Sequence, residues 1–573
     1  MVEGLTLVLS SALAKTPLER PSTVPEARAL ADALDVSMTL ASWLVCQGHT
    51  DPEATRRFLN PRLSELTQPD QMADRARAAE RLASAIRSGE KVAVFGDYDC
   101  DGMTSAAIVT EIIEALGGVA VTFIASRFEG GYGLSAAAVE RVLGSGARLL
   151  VTCDCGSSDH ASLARVRESG LEAIVIDHHL VPDDPLPVLA FLNPHRPECG
   201  FPYKGLASCG LALSIGAALR AALGKELDLR RWLDLVAIGT IADVAPLDGD
   251  NRALVRAGLA ALGRGTRPGV RALLELAKLG GHQSLTAEDV AFRIAPRLNA
   301  PGRLGAPDAA VRLLLAKTDA EAAGLAAEVE HASLERRAIQ DRMIEEAIAE
   351  IAERGLAERP AIVIGREGWN HGIVGIVAGR LASRFGRPVM VAGFNAGHGR
   401  GSVRGPQGFR LFDALGPTKE LVIRFGGHQA AAGVELSLEK LDAFRACFEA
   451  ACAAQSAHTI TPEGDGAPCV WLAPGDELAR VLRDLYLLEP CGQKSPSPDL
   501  ALEANVLSAR EVQGGHLKLE LEVPGSGRLG AFGIGMGERA ATLSGRVVVT
   551  GKLRSDRYRG GDAVELRLER VES

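Results

Sequence analysis

At 573 residues, with 47% apolar and 24% charged side chains, the chain has the makeup of a globular protein large enough for three or more domains. A net charge of −9 and an aromatic content of 4% argue against a uniformly basic nucleic-acid surface and against extensive base stacking, although local clusters of basic residues matter more than the total. There is no apolar run of bilayer-spanning length, no secretory-signal pattern at the start and no Cys-x-x-Cys pair among ten cysteines, so a membrane, secreted or zinc-ribbon protein is set aside in favour of a reducing cytoplasm.

Residues 1–85 are expected to form an N-terminal helical segment, because Ala27–Leu44 and Pro52–Leu59 carry apolar residues at helical spacing. Over 86–316, short apolar strands (Val92–Phe95, Val119–Ile124, Leu149–Cys153, Ala173–Ile176 and Val188–Leu192) alternate with helices. That pattern predicts an α/β domain on a mainly parallel sheet, which places ligands beyond the carboxyl ends of its strands. A connecting segment, 317–356, holds one helix over Thr318–Arg354. A capping box, Thr318-x-x-Glu321, opens it, an apolar stripe of Leu325, Val329, Ile339, Met343, Ala347 and Ile351 lines it, and Gly355 and Pro360 end it. Its length of roughly 55 Å suits a connector between domains. A second α/β domain spans 357–455, with strands at Ala361–Ile364 and Val389–Val391, a helix at Ile373–Phe385 and a stretch rich in glycine and arginine at Gly399–Gly405. Over 456–573 a polar, Pro-rich stretch gives way to period-two strands at Leu517–Val523, Val547–Leu553 and Ala563–Leu568, the signature of a small β-barrel or sandwich.

The stretch with the most chemical content follows the first strand: Phe95-Gly96-Asp97-Tyr98-Asp99-Cys100-Asp101-Gly102. Carboxylates at alternate positions after a buried strand repel one another unless protons or a cation neutralise them. Asp-x-Asp-x-Asp-Gly also opens a calcium loop, but that loop needs Glu at its twelfth position, where Ile108 stands, and a preceding helix, where a strand is expected. A solvated acidic turn is the plain alternative. Further acids and imidazoles stand at element ends: Asp154 after Leu149–Cys153, Asp177-His178-His179 after Ala173–Ile176, and Asp243 after the apolar helix Trp232–Ile241. Singly, each is as well explained by a turn, a cap or a surface histidine pair. Together they would deliver oxygen and imidazole to one sheet edge, a donor set that suits manganese, magnesium or zinc. So many aspartates favour two divalent ions, which together lower the pKa of a shared water and stabilise an in-line attack on phosphorus. Cys100, Cys153 and Cys155, beside these acids, read as small packing residues.

These motifs resemble the DHH phosphoesterase superfamily, and within it a family of single-strand-specific DNA exonucleases. The resemblance extends through Phe58-Leu59-Asn60-Pro61, Glu129-Gly130-Gly131-Tyr132-Gly133, Asn193-Pro194, Thr240–Val244 and Pro296–Leu304. It continues in Gly368–Gly375, Phe425–Gly433, Leu488-Glu489-Pro490 and His516-Leu517-Lys518. It implies a catalytic domain with a parallel sheet, a connecting helix, a DHH-associated α/β domain and a C-terminal OB-like β-barrel. It also implies Asp99, Asp101, Asp154, His178 and Asp243 as ligands of two divalent ions, Mn2+ or Mg2+. Asp97 and His179 are implied as catalytic neighbours, and Arg303, Ser402 and Arg404, with Arg127 and His428, as the grip on substrate phosphate. The implied substrate is a single DNA strand with a 5′ end, degraded 5′ to 3′ to mononucleotides in repair and recombination. A single-strand binding protein and a helicase are the implied protein partners. The sequence departs from the family after Glu489-Pro490, where it reads Cys491-Gly492-Gln493-Lys494-Ser495-Pro496, and in the tail at Tyr558-Arg559-Gly560-Gly561.

Other readings stay open at this level. Gly399–Gly405 is equally a flexible loop with solvated arginines, and Trp471, Phe532 and Tyr558 are as well placed in a core as under a base. Another DHH phosphodiesterase, acting on short oligonucleotides or cyclic dinucleotides, would share the acidic motifs without needing the third domain. A non-enzymatic binding subunit would not need the acids intact.

Overall fold

A computed structural model describes residues 25–281, 284–406, 408–428, 431–456, 469–556 and 563–572. The described residues fall into two compact units, one drawn from 61–465 and 489–496, the other from 1–60, 466–488 and 497–573.

The first unit contains both α/β domains. Strands β1 (Lys91–Gly96), β2 (Val119–Ile124), β3 (Leu149–Cys153), β4 (Glu172–Ile176) and β5 (Ala190–Leu192) form a parallel sheet in the order β2-β1-β3-β4-β5. Both faces are covered, which is why these strands read as continuous apolar runs rather than alternating ones. The helix after β1, Cys100–Ala115, packs into one core, and those after β2 and β3, Ala136–Gly144 and His160–Glu168, pack into the other. The chain therefore reverses direction across the sheet between β1 and β3, which opens a crevice at their carboxyl ends.

The long helix runs Asp319–Glu353. Thr318 caps it by accepting from the Glu321 amide, but the Glu321 carboxylate accepts from Lys317 rather than from Thr318, so only half of the expected reciprocal cap forms. Leu325 and Val329 are buried in the first domain's core, whereas Met343, Ala347 and Ile351 are buried with Ile362, Trp369 and Val377 of the second. The helix is shared by two cores rather than exposed between them.

In the second domain, β6 (Ile362–Glu367), β7 (Val389–Asn395), β8 (His398–Arg404), β9 (Arg424–His428) and β10 (Ala431–Ser437) form a mixed sheet in the order β6-β7-β8-β10-β9. The Gly399–Gly405 stretch is thus no loop: its first six residues belong to β8. Gly399, Gly401 and Val403 face inward and Arg400, Ser402 and Arg404 outward. A side chain at Gly399 would meet the Phe394 ring at 2.3 Å, so the glycines leave room for the aromatic packing of β7.

In the second unit, β12 (Asp499–Val512), β13 (His516–Val523), β14 (Gly527–Gly533), β15 (Gly545–Ser555) and β16 (Val564–Glu572) close into a barrel through β12–β15 pairing, with β11 (Cys469–Trp471) added outside β12. The helix expected over Ala27–Leu44 is two, Pro25–Leu34 and Met38–Cys46, because Asp35 adopts a left-handed backbone and Ser37 caps the second. The start of that second helix is held from far along the chain. Asp476 accepts from the Thr39 amide and hydroxyl at 2.8 and 2.7 Å, and Asp484 from the Ser37 amide at 2.6 Å. The helices expected together over 1–85 therefore part: those before Asn60 join the barrel's unit, and Arg75–Ser88 buries Ala78, Leu82 and Ala85 in the first α/β core. Residues 489–496 leave the barrel's unit for the other one, where Arg252 donates to the Pro490 carbonyl and Ser495 hydroxyl, and Leu247 to the Gln493 carbonyl. Among the described residues, no single helix is long and apolar enough to cross a membrane.

Candidate metal and phosphate site

The crevice between β1 and β3 collects the acids. The strand-to-helix turn after β1 is tight: a Cβ on Gly102 would lie 2.5 Å from both the Asp97 nitrogen and oxygen, so glycine is required there. Asp99 caps the helix that follows, accepting from the Gly102 amide at 3.1 Å. Asp101, in the first turn, accepts from the amides of Ser208 and Cys209 at 2.7 and 2.9 Å, the start of helix Ser208–Leu223. Asp154 follows β3 with φ of 63° and accepts from the Ser208 hydroxyl at 3.2 Å. A non-glycine residue held in that backbone region is strained, which suits a side chain aimed for function. Asp243 ends helix Leu233–Ala242.

These side chains converge. His178 Nε2 lies 3.2 Å from Asp154 Oδ1, 3.7 Å from Asp243 Oδ2 and 3.8 Å from Asp101 Oδ2. Ligand atoms within 4.8 Å of one another come from Asp154, His178 and His179; from Asp101, His178 and Asp243; and from Asp97, Asp99 and Asp154. Every residue expected to hold or adjoin metal is therefore in one cluster. Two buried atoms in it lack any hydrogen-bond partner, His178 Nε2 and Asp97 Oδ2.

The electrostatics fit a site built for cations. Burial, then the neighbouring acids, pushes the Asp154 carboxyl well above the usual range; burial and Asp99 do the same to Asp97. Burial and then Asp101 hold Asp243 at about 8. Burial lowers His178, whose Nε2 faces carboxylate oxygens. A divalent ion would satisfy both orphaned atoms and relieve that repulsion, so the donor set fits such an ion.

Asp177 does different work. Its Oδ1 accepts from the His178 and His179 amides at 2.8 and 3.2 Å and lies 2.8 Å from His179 Nδ1, while Oδ2 accepts from the Ser157 amide at 3.0 Å. Despite burial, these donors hold Asp177 at about 2, and Asp177 in turn raises His179 to about 9. Asn193 donates to the His179 carbonyl at 2.8 Å, and the Tyr132 hydroxyl, 3.0 Å from His179 Nδ1, donates to the Asp154 carbonyl. Sequence reasoning gave Asp177, Tyr132 and Asn193 no role, although all three stood in quoted motifs. Ser157 and Ser208 carried no sequence signal.

The expected phosphate residues lie where the two α/β domains meet. Arg303 Nη1 donates to the Gly372 carbonyl at 2.9 Å, and Arg404 Nη1 to the Ser402 hydroxyl at 2.6 Å. The Arg127 guanidinium covers the Tyr98 ring at 3.8 Å. Burial and the neighbouring Arg127 lower Arg404 and bring Arg303 down to about 10. Among the described residues, none of Arg127, Arg303 and Arg404 lies in an ion pair with a carboxylate; Asp97 and Asp99 of the metal cluster act on Arg127 and Arg303 only from farther off. The His428 backbone lies in β9, but its side chain and all of Tyr558 lie outside the described residues.

The chain matches the DHH family N-terminal domain over residues 91–240, the DHHA1 domain over 358–454 and the RecJ OB domain over 472–570. The single-stranded-DNA-specific exonuclease RecJ of Dickeya dadantii (strain 3937) is 36% identical over 526 residues, covering 86% of this chain and 89% of that protein. The chain belongs to the RecJ family. The RecJ of Bacillus subtilis (strain 168) is 35% identical over 86% of this chain, which spans 62% of that protein's length. Crystal structures of RecJ from Thermus thermophilus in complex with Mn2+ and with Mg2+ match with TM-scores of 0.81 and 0.75, at 32% and 30% identity. They cover 97% of this chain and 79% and 78% of theirs. The closed barrel and both α/β domains are thus the RecJ architecture.

Proposed function

We propose that this protein is a metal-dependent exonuclease that hydrolyses single-stranded DNA from its 5′ end to mononucleotides, in DNA repair and recombination. The observation that carries this reading is the convergence of Asp97, Asp99, Asp101, Asp154, His178, His179 and Asp243 at one sheet edge in a chain of the RecJ family. Asp99, Asp101, Asp154, His178 and Asp243 would hold two ions, Mn2+ or Mg2+, with Asp97 beside them. Bound there, the ions would supply activation of water and neutralisation of charge at phosphorus.

The chain's own residues supply orientation. Asp177 fixes both histidine amides and lies 2.8 Å from His179 Nδ1, so it orients the His179 ring towards the phosphate. Arg303, Ser402 and Arg404 take the terminal 5′-phosphate, with Arg127 and His428 in support, which sets the cut one nucleotide in. In this reading 86–316 carries the chemistry, 357–455 grips phosphate, and the barrel region 456–573 holds the strand farther from the cut. The barrel favours a strand over the short or cyclic dinucleotide substrates of the alternative reading. A single-strand binding protein and a helicase are the candidate suppliers of the substrate.

The test is degradation of oligonucleotides labelled at either end, single or duplex, with manganese. Loss proceeding from the 5′ end of single strands supports the reading; release from the 3′ end or equal attack on duplex sinks it. Asp154→Ala should abolish hydrolysis while strand binding in EDTA stays within about threefold.

A further inference from the structure

Alternate residues of a strand share a face, so Arg400, Ser402 and Arg404 leave β8 on the same side at intervals of about 7 Å. Ser402 and Arg404 already serve the terminal phosphate in the reading above; Arg400 does not. It borders a cavity of about 320 Å³ whose lining includes Tyr98, Arg127, Phe128, His371, Asn395 and Arg400 itself. The cavity's contents are unusual for a packing defect. Arg400 Nη1 donates to the Arg127 carbonyl at 3.1 Å, which brings two guanidinium groups to one wall. Among the described residues, neither has a carboxylate in ion-pair range. Glu435 stands opposite Arg400 in the β8–β10 register, but its carboxylate is taken by Arg424 at 2.6 Å. His371 Nδ1 is buried without a hydrogen-bond partner. On the facing side, Phe128 is 47% exposed, a large apolar ring left uncovered. Unpaired guanidinium groups call for an anion, and an uncovered ring calls for a flat apolar partner. A nucleotide supplies both.

We infer that this cavity is a second nucleotide subsite, in which Arg400, with Arg127, holds a backbone phosphate of the strand and Phe128 stacks on a base. The inference rests on the single-strand reading and extends it to Arg400 and Phe128, outside the terminal-phosphate grip, with Arg127 standing between the two phosphates. The spacing along β8 supports it, since two residues of strand advance by close to the span of one nucleotide in an extended chain. A neighbouring subsite on the same strand face would also keep the DNA in register as the terminal nucleotide is removed.

The experiment measures binding of a fluorescent single strand by the full chain in EDTA, so that no hydrolysis occurs. Each phosphate near the 5′ end is replaced in turn by a neutral methylphosphonate, and each base by an abasic site. In the parent, one linkage other than the terminal phosphate should cost about tenfold in affinity when neutralised. Arg400→Gln should bind the unmodified strand about tenfold more weakly, lose its sensitivity to that linkage alone, and lower the slope of log affinity against log salt by about 0.7. Arg400→Lys should keep the salt slope, and Phe128→Ala should become insensitive to one abasic position. If Arg400→Gln weakens every strand equally with an unchanged salt slope, Arg400 only joins the two domains and the inference falls. Should Arg400→Gln fail to fold, the Arg400→Lys and Phe128→Ala scans decide, and a profile identical to the parent in both overturns it. A parent that neither binds nor degrades single strands would instead refute the functional reading itself.

Discussion

Removing one carboxylate from the metal cluster should make the metal-free protein more stable, and Asp243→Asn measures this directly. Burial, then Asp101 and Asp99, hold the Asp243 carboxyl at about 8 against an ordinary value of 3.8. The folded state thus keeps a proton that the unfolded chain gives up above its ordinary value. Stability is fully present below about pH 4 and is lost as pH climbs towards about 8. At about 1.4 kcal/mol per unit, the whole interval corresponds to about 6 kcal/mol. The neighbouring carboxylates share the same proton, and the side chain keeps 20% exposure, so solvent and relaxation reduce the expected gain to about 2–3 kcal/mol. The amide is uncharged throughout. In EDTA, Asp243→Asn should match the parent near pH 4.5 and exceed it by that amount at pH 8. Saturating manganese should reverse the order at pH 8, because an ion at a thousand times its Kd adds about 4.1 kcal/mol to the form that binds it. Urea unfolding followed by circular dichroism, in EDTA and in manganese at both pH values, gives all four comparisons. A variant no more stable than the parent at pH 8 in EDTA, or a gap that fails to narrow on acidification, refutes the reasoning.

Arg267 sits between Glu111 at 2.7 Å and Asp234 at 3.4 Å, carboxylates only 13% and 4% exposed. Arg267→Met strands Asp234, while Glu111 keeps Lys317 at 3.0 Å and the Trp232 indole at 2.8 Å, and should cost about 3 kcal/mol at pH 7. Asp234, already raised by burial, then folds with a still higher pKa, so the deficit should shrink by pH 5, and a pH-independent loss would contradict this. Gly102→Ala pushes a methyl against the Asp97 backbone and should displace both Asp97 and Asp99. Hydrolysis is expected to fall at least about 100-fold with weaker manganese binding by calorimetry, and unchanged metal affinity would count against the turn's role. Arg404→Met should raise KM about 10–100-fold for 5′-phosphorylated strands and little for 5′-hydroxyl strands, since one charge-assisted contact is lost. Steady-state kinetics on the two substrates would expose a shared effect if Arg404 merely supports the fold.

The acidic residues were legible because chemistry forced them into places where a fold gains nothing from them. Carboxylates at Asp97, Asp99 and Asp101 directly after a buried strand are unfavourable without a counter-charge, and their agreement with Asp154, His178 and Asp243 at other element ends pointed to a cation. The parallel strands were legible for a similar reason: burial on both faces leaves only apolar residues between Lys91 and Gly96. Other features depended on partners distant in the chain. Nothing local marks Ser208 as the donor to Asp101 and Asp154, or Asp476 and Asp484 as caps for a helix more than four hundred residues earlier. The barrel strand β12 was missed because its second half is mostly exposed and polar, and β14 because its glycines break the apolar rhythm; pairing with neighbours supplies what propensity lacks. Gly399–Gly405 read as a loop by composition, yet the Phe394 ring makes its glycines the residues a strand needs there. The chain by itself thus determined which groups would seek a divalent ion and which segments would be buried. Tertiary structure alone decided which amides and guanidinium groups surround them, because hydrogen bonds and packing act through space and leave no trace in spacing along the backbone.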